Sequence, residues 1–247
     1  MRLALLADVH ANREALEACL AHADAKRAER IVFLGDYVNY GADPDWVVGK
    51  IMDLVVKGRA VAVLGNHDAA ANANGASMNS PAEAAMEWTR NQLGGDQRAF
   101  LAALPLTLEE GDCLFVHADA SAPSRWTYVT DVHDAARSLK ATSRRVTFCG
   151  HVHRPAIYNL SETSKSNSFR PVAGVAIPLL PQRRWLAVMG SVGQPRDGVP
   201  AASWSLVDTA RSEITYQRVP YDVEEATRKI RRAGLPGMYA ERLGYGH

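Results

Sequence analysis

The chain has 247 residues, 47% of them hydrophobic and 22% charged, a balance that excludes a disordered or fibrous protein and suffices to bury an ordinary core. Its 28 basic and 27 acidic residues leave a net charge of +1. Nothing in the overall charge therefore draws it to nucleic acid or to an anionic membrane, and any affinity for phosphate has to be local.

Residues 3–7, 30–34 and 60–64 are short apolar runs, each followed by a polar block and then by helical periodicity. Runs of that kind suit strands buried on both faces, as in βαβ units. The first helix begins near Asn12, a good N-cap, and turns Leu16, Cys19 and Leu20 inward. The second has Asp43 as its cap, Pro44 at its first position, and Val47, Val48, Ile51, Leu54 and Val55 as its inner stripe. The first 65 residues thus read β-α-β-α-β.

Residues 66–104 are Ala-rich and helical in pattern, with a restart at Asn79-Ser80-Pro81 and a break at Gly94-Gly95. Strand signals return over 107–109, 113–116 and 146–149, with a helix over 131–140 between the last two. From Pro155 onward, strands are expected at 157–160, 171–176, 185–189, 203–207 and 214–219, with 161–168 as the polar tip of a hairpin. A final helix over 222–232 is ended by Gly234 and Pro236. The pattern predicts two packed sheets with helices on their outer faces, in one domain spanning residues 1–247.

Cys19, Cys113 and Cys149 are odd in number, lack Cys-x-x-Cys spacing and lie in apolar patterns, so they read as small buried hydrophobes. Residues 1–7 are too short an apolar run for a signal peptide, and no stretch reaches the ~18 apolar residues that span a bilayer. A cytoplasmic location is expected.

Polar blocks stand where the strands end: Asp8-Val9-His10, Gly35-Asp36, Gly65-Asn66-His67-Asp68, His117 and Gly150-His151-Val152-His153. In α/β sheets, sites form beyond the carboxyl ends of strands. Asp8 and His10, and likewise His151 and His153, are expected to share a face because alternate residues of an extended segment do. The carboxylate of Asp36 can bridge two ions, and Asn66 adds a neutral oxygen. Two carboxylates, four imidazoles and one amide form a donor set for two divalent cations, with His67 left over. Such ions bring the pKa of bound water from ~15.7 towards ~7. They also outweigh the two carboxylates even after a bridging hydroxide is added, which favours attack on phosphorus over attack on an acyl centre.

Taken in order, these blocks resemble the calcineurin-like metallophosphoesterases. The motifs cover residues 8–153, and Gly190-Ser191-Val192-Gly193 resembles a later loop of the compact bacterial members. The resemblance implies a four-layer α/β/β/α sandwich with two mixed β-sheets. It also implies a binuclear centre of manganese first, with iron, zinc or nickel as alternatives. Asp8, His10, Asp36 and His153 would surround one ion; Asp36, Asn66, His117 and His151 would surround the other. His67 would lie beside the phosphate and, protonated, donate to the leaving oxygen as general acid or stabilise the equatorial charge.

In the similar Ser/Thr protein phosphatases, an Asp and an Arg stand at the places of Asn39 and Tyr40, and a Glu at the place of Asp68. These departures argue against a protein phosphatase. Asn39 and Arg125 are candidate substrate contacts, the latter through the Arg125-Trp126-Tyr128 cluster. Arg196, in Gln194-Pro195-Arg196-Asp197-Gly198, reads about equally as turn chemistry. The expected activity is hydrolysis of small phosphomonoesters, phosphodiesters or nucleotides, without nucleic-acid or membrane partners and with the oligomeric state open. The rivals are a symmetrical dinucleoside polyphosphate hydrolase, a protein phosphatase, a nuclease and a non-catalytic interaction module on the same fold.

Overall fold

Alternate residues of the first strand, β1 (Arg2–Leu6), enter two different cores. Ala4 and Leu6 join an apolar cluster with the first helices, whereas Leu3 and Leu5 join the cluster between the sheets. A strand apolar on both faces must be covered on both, and that requirement organises the molecule.

In the computed structural model, which describes residues 1–73 and 80–247, β1 is followed by α1 (Arg13–Ala25), β2 (Arg30–Phe33), α2 (Pro44–Val56), β3 (Ala60–Ala62), α3 (Asn66–Asn72), α4 (Ser80–Gln92) and α5 (Gly95–Ala103). Next come β4 (Thr107–Glu110), β5 (Cys113–Val116), α6 (Val132–Lys140), β6 (Val146–Cys149), β7 (Ala156–Ser161) and β8 (Ser166–Phe169). The last elements are β9 (Ala176–Pro178), β10 (Arg183–Val188), β11 (Ala202–Asp208), β12 (Glu213–Val219), α7 (Val223–Arg232) and α8 (Gly237–Tyr245).

The strands form two six-stranded sheets of order β3-β2-β1-β11-β12-β9 and β4-β5-β6-β10-β7-β8. Both are mixed: β1, β2 and β3 run parallel, as do β5, β6 and β10, while the remaining pairings are antiparallel. Leu3, Val32, Phe115, Phe148, Trp185 and Tyr216 fill the space between the sheets, with Phe115 and Phe148 stacked at 5.6 Å. Val47, Val48 and Ile51 of α2 and Leu16 of α1 cover one outer face. Ala135 and Leu139 of α6 cover the other. The result is the α/β/β/α sandwich, and it directs the carboxyl ends of both parallel strand sets to one edge.

Asn12 caps α1, its Oδ1 accepting the Ala15 N–H at 3.1 Å. Asp43 makes no capping bond to α2; its carboxylate instead accepts from Lys229 Nζ at 2.9 Å, tying α7 to the start of α2. The break at Gly94-Gly95 separates α4 from α5, and of the expected restart Asn79 lies outside the described residues. The strand expected at 171–176 begins only at Ala176, because Pro171 has no N–H to pair and Val172 and Val175 face solvent, 66% and 52% exposed. The hairpin tip is shorter than expected: residues 166–169, polar and mostly exposed, pair with β7 as the edge strand β8. Pro236 both ends α7 and opens α8, whose Tyr239, Ala240 and Leu243 pack with Ala226 and Ile230 of α7 and Ala85 of α4.

Candidate metal centre

The loops that leave β1, β2, β3, β5 and β6 converge at that edge. Backbone hydrogen bonds from Asp8 N to Gly35 O (3.0 Å), His10 N to Asp36 O (2.9 Å) and Gly150 N to His117 O (2.9 Å) hold them together. The loop after β10 closes against them, with Val192 N on Ala7 O at 2.9 Å and Gly193 N on Asp8 O at 3.0 Å.

The local conformation is not the extended one assumed from the alternation of Asp8 with His10 and of His151 with His153. All four residues have positive φ: +55°, +46°, +68° and +61°. Asp36, Asn39 and Tyr40 do so too, at +59°, +73° and +67°. The chain coils back at each strand end, so the side chains meet by left-handed turns rather than by strand pleating. Each such residue costs on the order of 1–2 kcal/mol, a cost the packed surroundings must offset. Two glycines make the close approach feasible. A Cβ on Gly65 would collide with the backbone N and Oδ1 of Asp36, and one on Gly150 would stand 2.7 Å from Asp8 Oδ2.

Two groups of donor atoms result, within each of which the atoms lie no more than 4.8 Å apart: Asp8, His10, Asp36 and His153; and Asp36, His117 and His151. Within the first, His10 Nε2 and His153 Nε2 are 3.1 Å apart, and His153 Nε2 is 3.5 Å from Asp8 Oδ1. Within the second, His117 Nε2 stands 3.3 Å from Asp36 Oδ2 and 3.1 Å from His151 Nδ1. Asn66 Oδ1 joins it, 3.1 Å from His117 Nε2. Asp36 Oδ2 faces both groups, while its Oδ1 accepts the His67 N–H at 2.9 Å.

The donor chemistry fits a cation. His10 Nδ1 lies 3.1 Å from Val38 O, His153 Nδ1 2.7 Å from Gln194 O, and His117 Nδ1 2.7 Å from Leu34 O. A carbonyl only accepts, so each Nδ1 carries the hydrogen and each neutral Nε2 presents a lone pair. The lone pairs of His10 and His153 consequently point at each other across 3.1 Å. That opposition is relieved by a positive charge between them.

The electrostatics agree. Burial holds His10 and His153 well below the ordinary imidazole pKa and lowers His151 to about 3, keeping all three neutral. Burial also opposes charge on His117, but the adjacent Asp36 carboxylate outweighs it and lifts His117 to about 9. A proton there takes the place a cation would fill. Burial pushes Asp8 up to about 7, against the pull of His117. Burial works the same way on Asp36, yet the histidines around it hold its carboxyl well below the usual range.

Behind the centre, Asp68 is fully buried and accepts N–H groups from Asp36 (2.7 Å), Tyr37 (2.8 Å) and Gly65 (3.0 Å). It locks the Asp36 loop to the start of α3. In the sequence Asp68 stands in the Gly65-Asn66-His67-Asp68 block with no role assigned; its place in the first turn of α3 is the signal for an amide acceptor.

His67 stands at the mouth. Asn39 Oδ1 accepts the Tyr40 N–H at 2.9 Å, which directs its NH₂ to His67 Nδ1, also at 2.9 Å. Nδ1 is therefore an acceptor and the hydrogen sits on Nε2, 3.1 Å from the Tyr40 hydroxyl. Burial lowers the pKa of His67, with Asp36 opposing. A protonated His67 acting as general acid does not match this arrangement, because an amide NH₂ facing Nδ1 disfavours the imidazolium; a neutral hydrogen-bond donor does. Asn39 itself is wholly buried behind His67 and not on the open side where a substrate contact was expected.

Arg125 ends a 3-10 turn, Pro123–Arg125, and is exposed. Its neighbours are the ones that approach the centre: Trp126 meets His117 edge-on at 5.9 Å and Tyr128 stacks on His151 at 4.1 Å. Arg196 also faces the site. Its guanidinium lies 6.0 Å from the Tyr40 ring centre, and its backbone N–H donates to His153 O at 3.2 Å. Both Tyr128 and Arg196 sit in irregular loops, where no periodicity of the sequence reports which way a side chain points.

The family model of the calcineurin-like phosphoesterase superfamily domain matches residues 1–212. The uncharacterized protein MJ0912 of Methanocaldococcus jannaschii is 32% identical over 255 residues, 99% of this chain and 98% of that protein. The crystal structure of a metallophosphoesterase from Sphaerobacter thermophilus superposes with a TM-score of 0.86 at 33% identity, covering 100% of this chain and 99% of that one. A hypothetical protein, PH1004, from Pyrococcus horikoshii OT3 shares the fold at a TM-score of 0.80 and 18% identity, over 100% of this chain and 98% of its own. The chain belongs to the calcineurin-like phosphoesterase superfamily and is a metal-dependent phosphoesterase.

Proposed function

We propose that the protein hydrolyses small phosphomonoesters, phosphodiesters or nucleotides at a binuclear centre. Asp8, His10, Asp36 and His153 would hold one ion, and Asp36, Asn66, His117 and His151 the other. The observation that carries this reading is the opposed pair of imidazole lone pairs, His10 Nε2 against His153 Nε2 at 3.1 Å, next to a carboxylate oxygen of Asp36 that faces both groups. When bound, two such ions lower the pKa of coordinated water towards neutrality and offset the charge of a phosphate. Carboxylate, amide and imidazole donors suit manganese first, then iron, zinc or nickel.

The protein's own contribution is positional. Asp68 sets the Asp36 loop, and the backbone carbonyls of Val38, Gln194 and Leu34 fix the three imidazole tautomers. His67 offers Nε2–H, and Tyr40 its hydroxyl, to the oxygens of a phosphate. Residues 1–247 act as one domain. Among the described residues no helix is long and apolar enough to cross a membrane, and we place the protein in the cytoplasm.

The test is a panel of aryl monophosphates, bis-aryl phosphates, nucleotides and phosphopeptides, assayed on metal-stripped protein reloaded separately with manganese, iron, zinc, nickel and magnesium. Turnover restored by at least one metal, with two ions per chain by elemental analysis, is expected. Two ions per chain without turnover of any ester would instead support an interaction module on this fold.

A further inference from the structure

A cleft of about 330 Å³ has Arg154, Arg170, Arg196 and Arg218 in its wall, with Asp197 as the single carboxylate side chain and His247 also lining it. Four guanidiniums around one cleft, in a chain whose net charge is only +1, mark a concentrated local field. Arg218 is neutralised by its ion pair with Asp197. Among the described residues, no carboxylate lies within ion-pairing distance of Arg154, Arg170 or Arg196. The Nε of Arg196 is buried with no hydrogen-bond partner, and its terminal nitrogen donates to Gln194 Oε1 at 2.8 Å.

The cleft is joined to the centre through two of these residues. Arg154 follows His153 directly and donates from Nε to Arg196 O at 2.6 Å. The backbone N–H of Arg196 in turn donates to His153 O, and its guanidinium lies over Tyr40, whose hydroxyl meets His67. Arg154 and Arg170 are exposed and Arg196 is half-buried; with no carboxylate paired to them among the described residues, all three leave the cleft attractive to an anion. Arg154 and Arg170 line this cleft whereas none of the candidate metal ligands does, so an anion that they hold is a different group from one held at the candidate centre.

We infer that this cleft is a second phosphate subsite, and that the preferred substrates carry a further phosphoryl group next to the one that reacts, as nucleoside diphosphates and other phosphoanhydrides do. The inference rests on the hydrolase reading for the reacting group and adds the non-reacting one. Arg196 stands at the junction, and Arg154 and Arg170 hold the outer group by charge-assisted hydrogen bonds.

Two measurements test it. In the first, kcat/KM is compared for adenosine diphosphate and adenosine monophosphate with manganese-loaded protein. The diphosphate is expected to be favoured at least tenfold, and Arg170→Ala or Arg170→Glu to reduce that ratio about tenfold. Arg232→Ala, which removes the same charge from the exposed side of α7, should leave the ratio intact. In the second, calorimetry follows imidodiphosphate and inorganic phosphate binding to metal-free and manganese-loaded protein. Tighter binding of imidodiphosphate, weakened about tenfold relative to phosphate by Arg170→Ala, supports the subsite. Ester turnover with a ratio near one, or a ratio and binding unmoved by both Arg170 variants, overturns it. Failure of every ester with every metal would refute the hydrolase reading instead, while the calorimetry would still decide whether the cleft binds a diphosphate.

Discussion

The side-chain amide of Asn39 donates to Nδ1 of His67 at 2.9 Å, with its own orientation set by the Tyr40 N–H at 2.9 Å on Oδ1. His67 is thereby held as the Nε2–H tautomer, neutral and aimed at the mouth of the centre. A neutral imidazole is a poor proton source but an effective donor to a charged phosphate oxygen. Replacing the amide by a carboxylate reverses the preference at Nδ1, since a carboxylate accepts a hydrogen and favours the imidazolium. Asn39→Asp is therefore expected to raise the pKa of His67, read by NMR titration of the zinc-loaded protein, and to shift the pH dependence of kcat towards the alkaline side. A His67 titration that does not move would show that the amide does not govern the tautomer.

Removing the ring should cost more. For His67→Ala we expect kcat to fall by ~10² to 10⁴ with both ions retained, and for Tyr40→Phe a smaller fall, because the phenol shares the donation to phosphate. Metal content by elemental analysis alongside steady-state kinetics separates this from loss of the centre. Near-normal turnover of His67→Ala would remove it from the reaction.

Gly65→Ala and Asp68→Ala attack the placement of Asp36 from two sides. A Cβ on Gly65 cannot coexist with the present position of Asp36, so this variant should bind less metal while keeping the sheets intact by circular dichroism. Asp68→Ala leaves three buried N–H groups without their acceptor. A loss on the order of 3 kcal/mol follows, or roughly 6–12 °C in Tm for a domain of this size. A Tm within about 2 °C of the wild type would show that water replaces the carboxylate.

In the proposed centre, proton and metal are expected to compete for His117. In the metal-free protein its folded pKa of about 9 exceeds the ordinary 6.5, so the stability it contributes is complete below pH 6.5 and is lost as pH rises through 9. Asp8, raised from 3.8 to about 7, acts in the same sense at lower pH. His10, His151 and His153, all depressed, contribute fully above pH 6.5 and are flat across that window. Between pH 6.5 and 9 the Tm of metal-free protein should fall, whereas with saturating metal it should rise as His117 surrenders its proton to the ion. Parallel slopes with and without metal would contradict this competition.

The candidate donors stand out in the sequence because they interrupt strong patterns: Asp8, Asp36, His117 and His151 each stand at the end of an apolar run or one glycine beyond it, where packing gives no reason for a polar side chain. The sandwich was legible from the same runs, and Pro171 explains the one strand expected too early. What escaped was conformation and long-range placement. No local signal reports that Asp8, His10, His151 and His153 sit at positive φ, since only glycine or asparagine would advertise that region. Tyr128 and Arg196 reach the centre from irregular loops that carry no periodicity. The polarity of Ser166–Phe169 hid an edge strand that needs no apolar face, and α8 was hidden because Pro236, which stops one helix, also starts the next.

The coiled-back strand ends bear on any attempt to transplant this centre. Copying the seven proposed donor side chains onto another sandwich with ordinary extended strand ends would aim them apart, however faithful the residue choice. A successful graft has to carry over the left-handed turns, together with the glycines that leave room for them and the buried aspartate that braces them. For the proposed centre the unit of inheritance is thus a set of backbone shapes, and the side chains are its visible part.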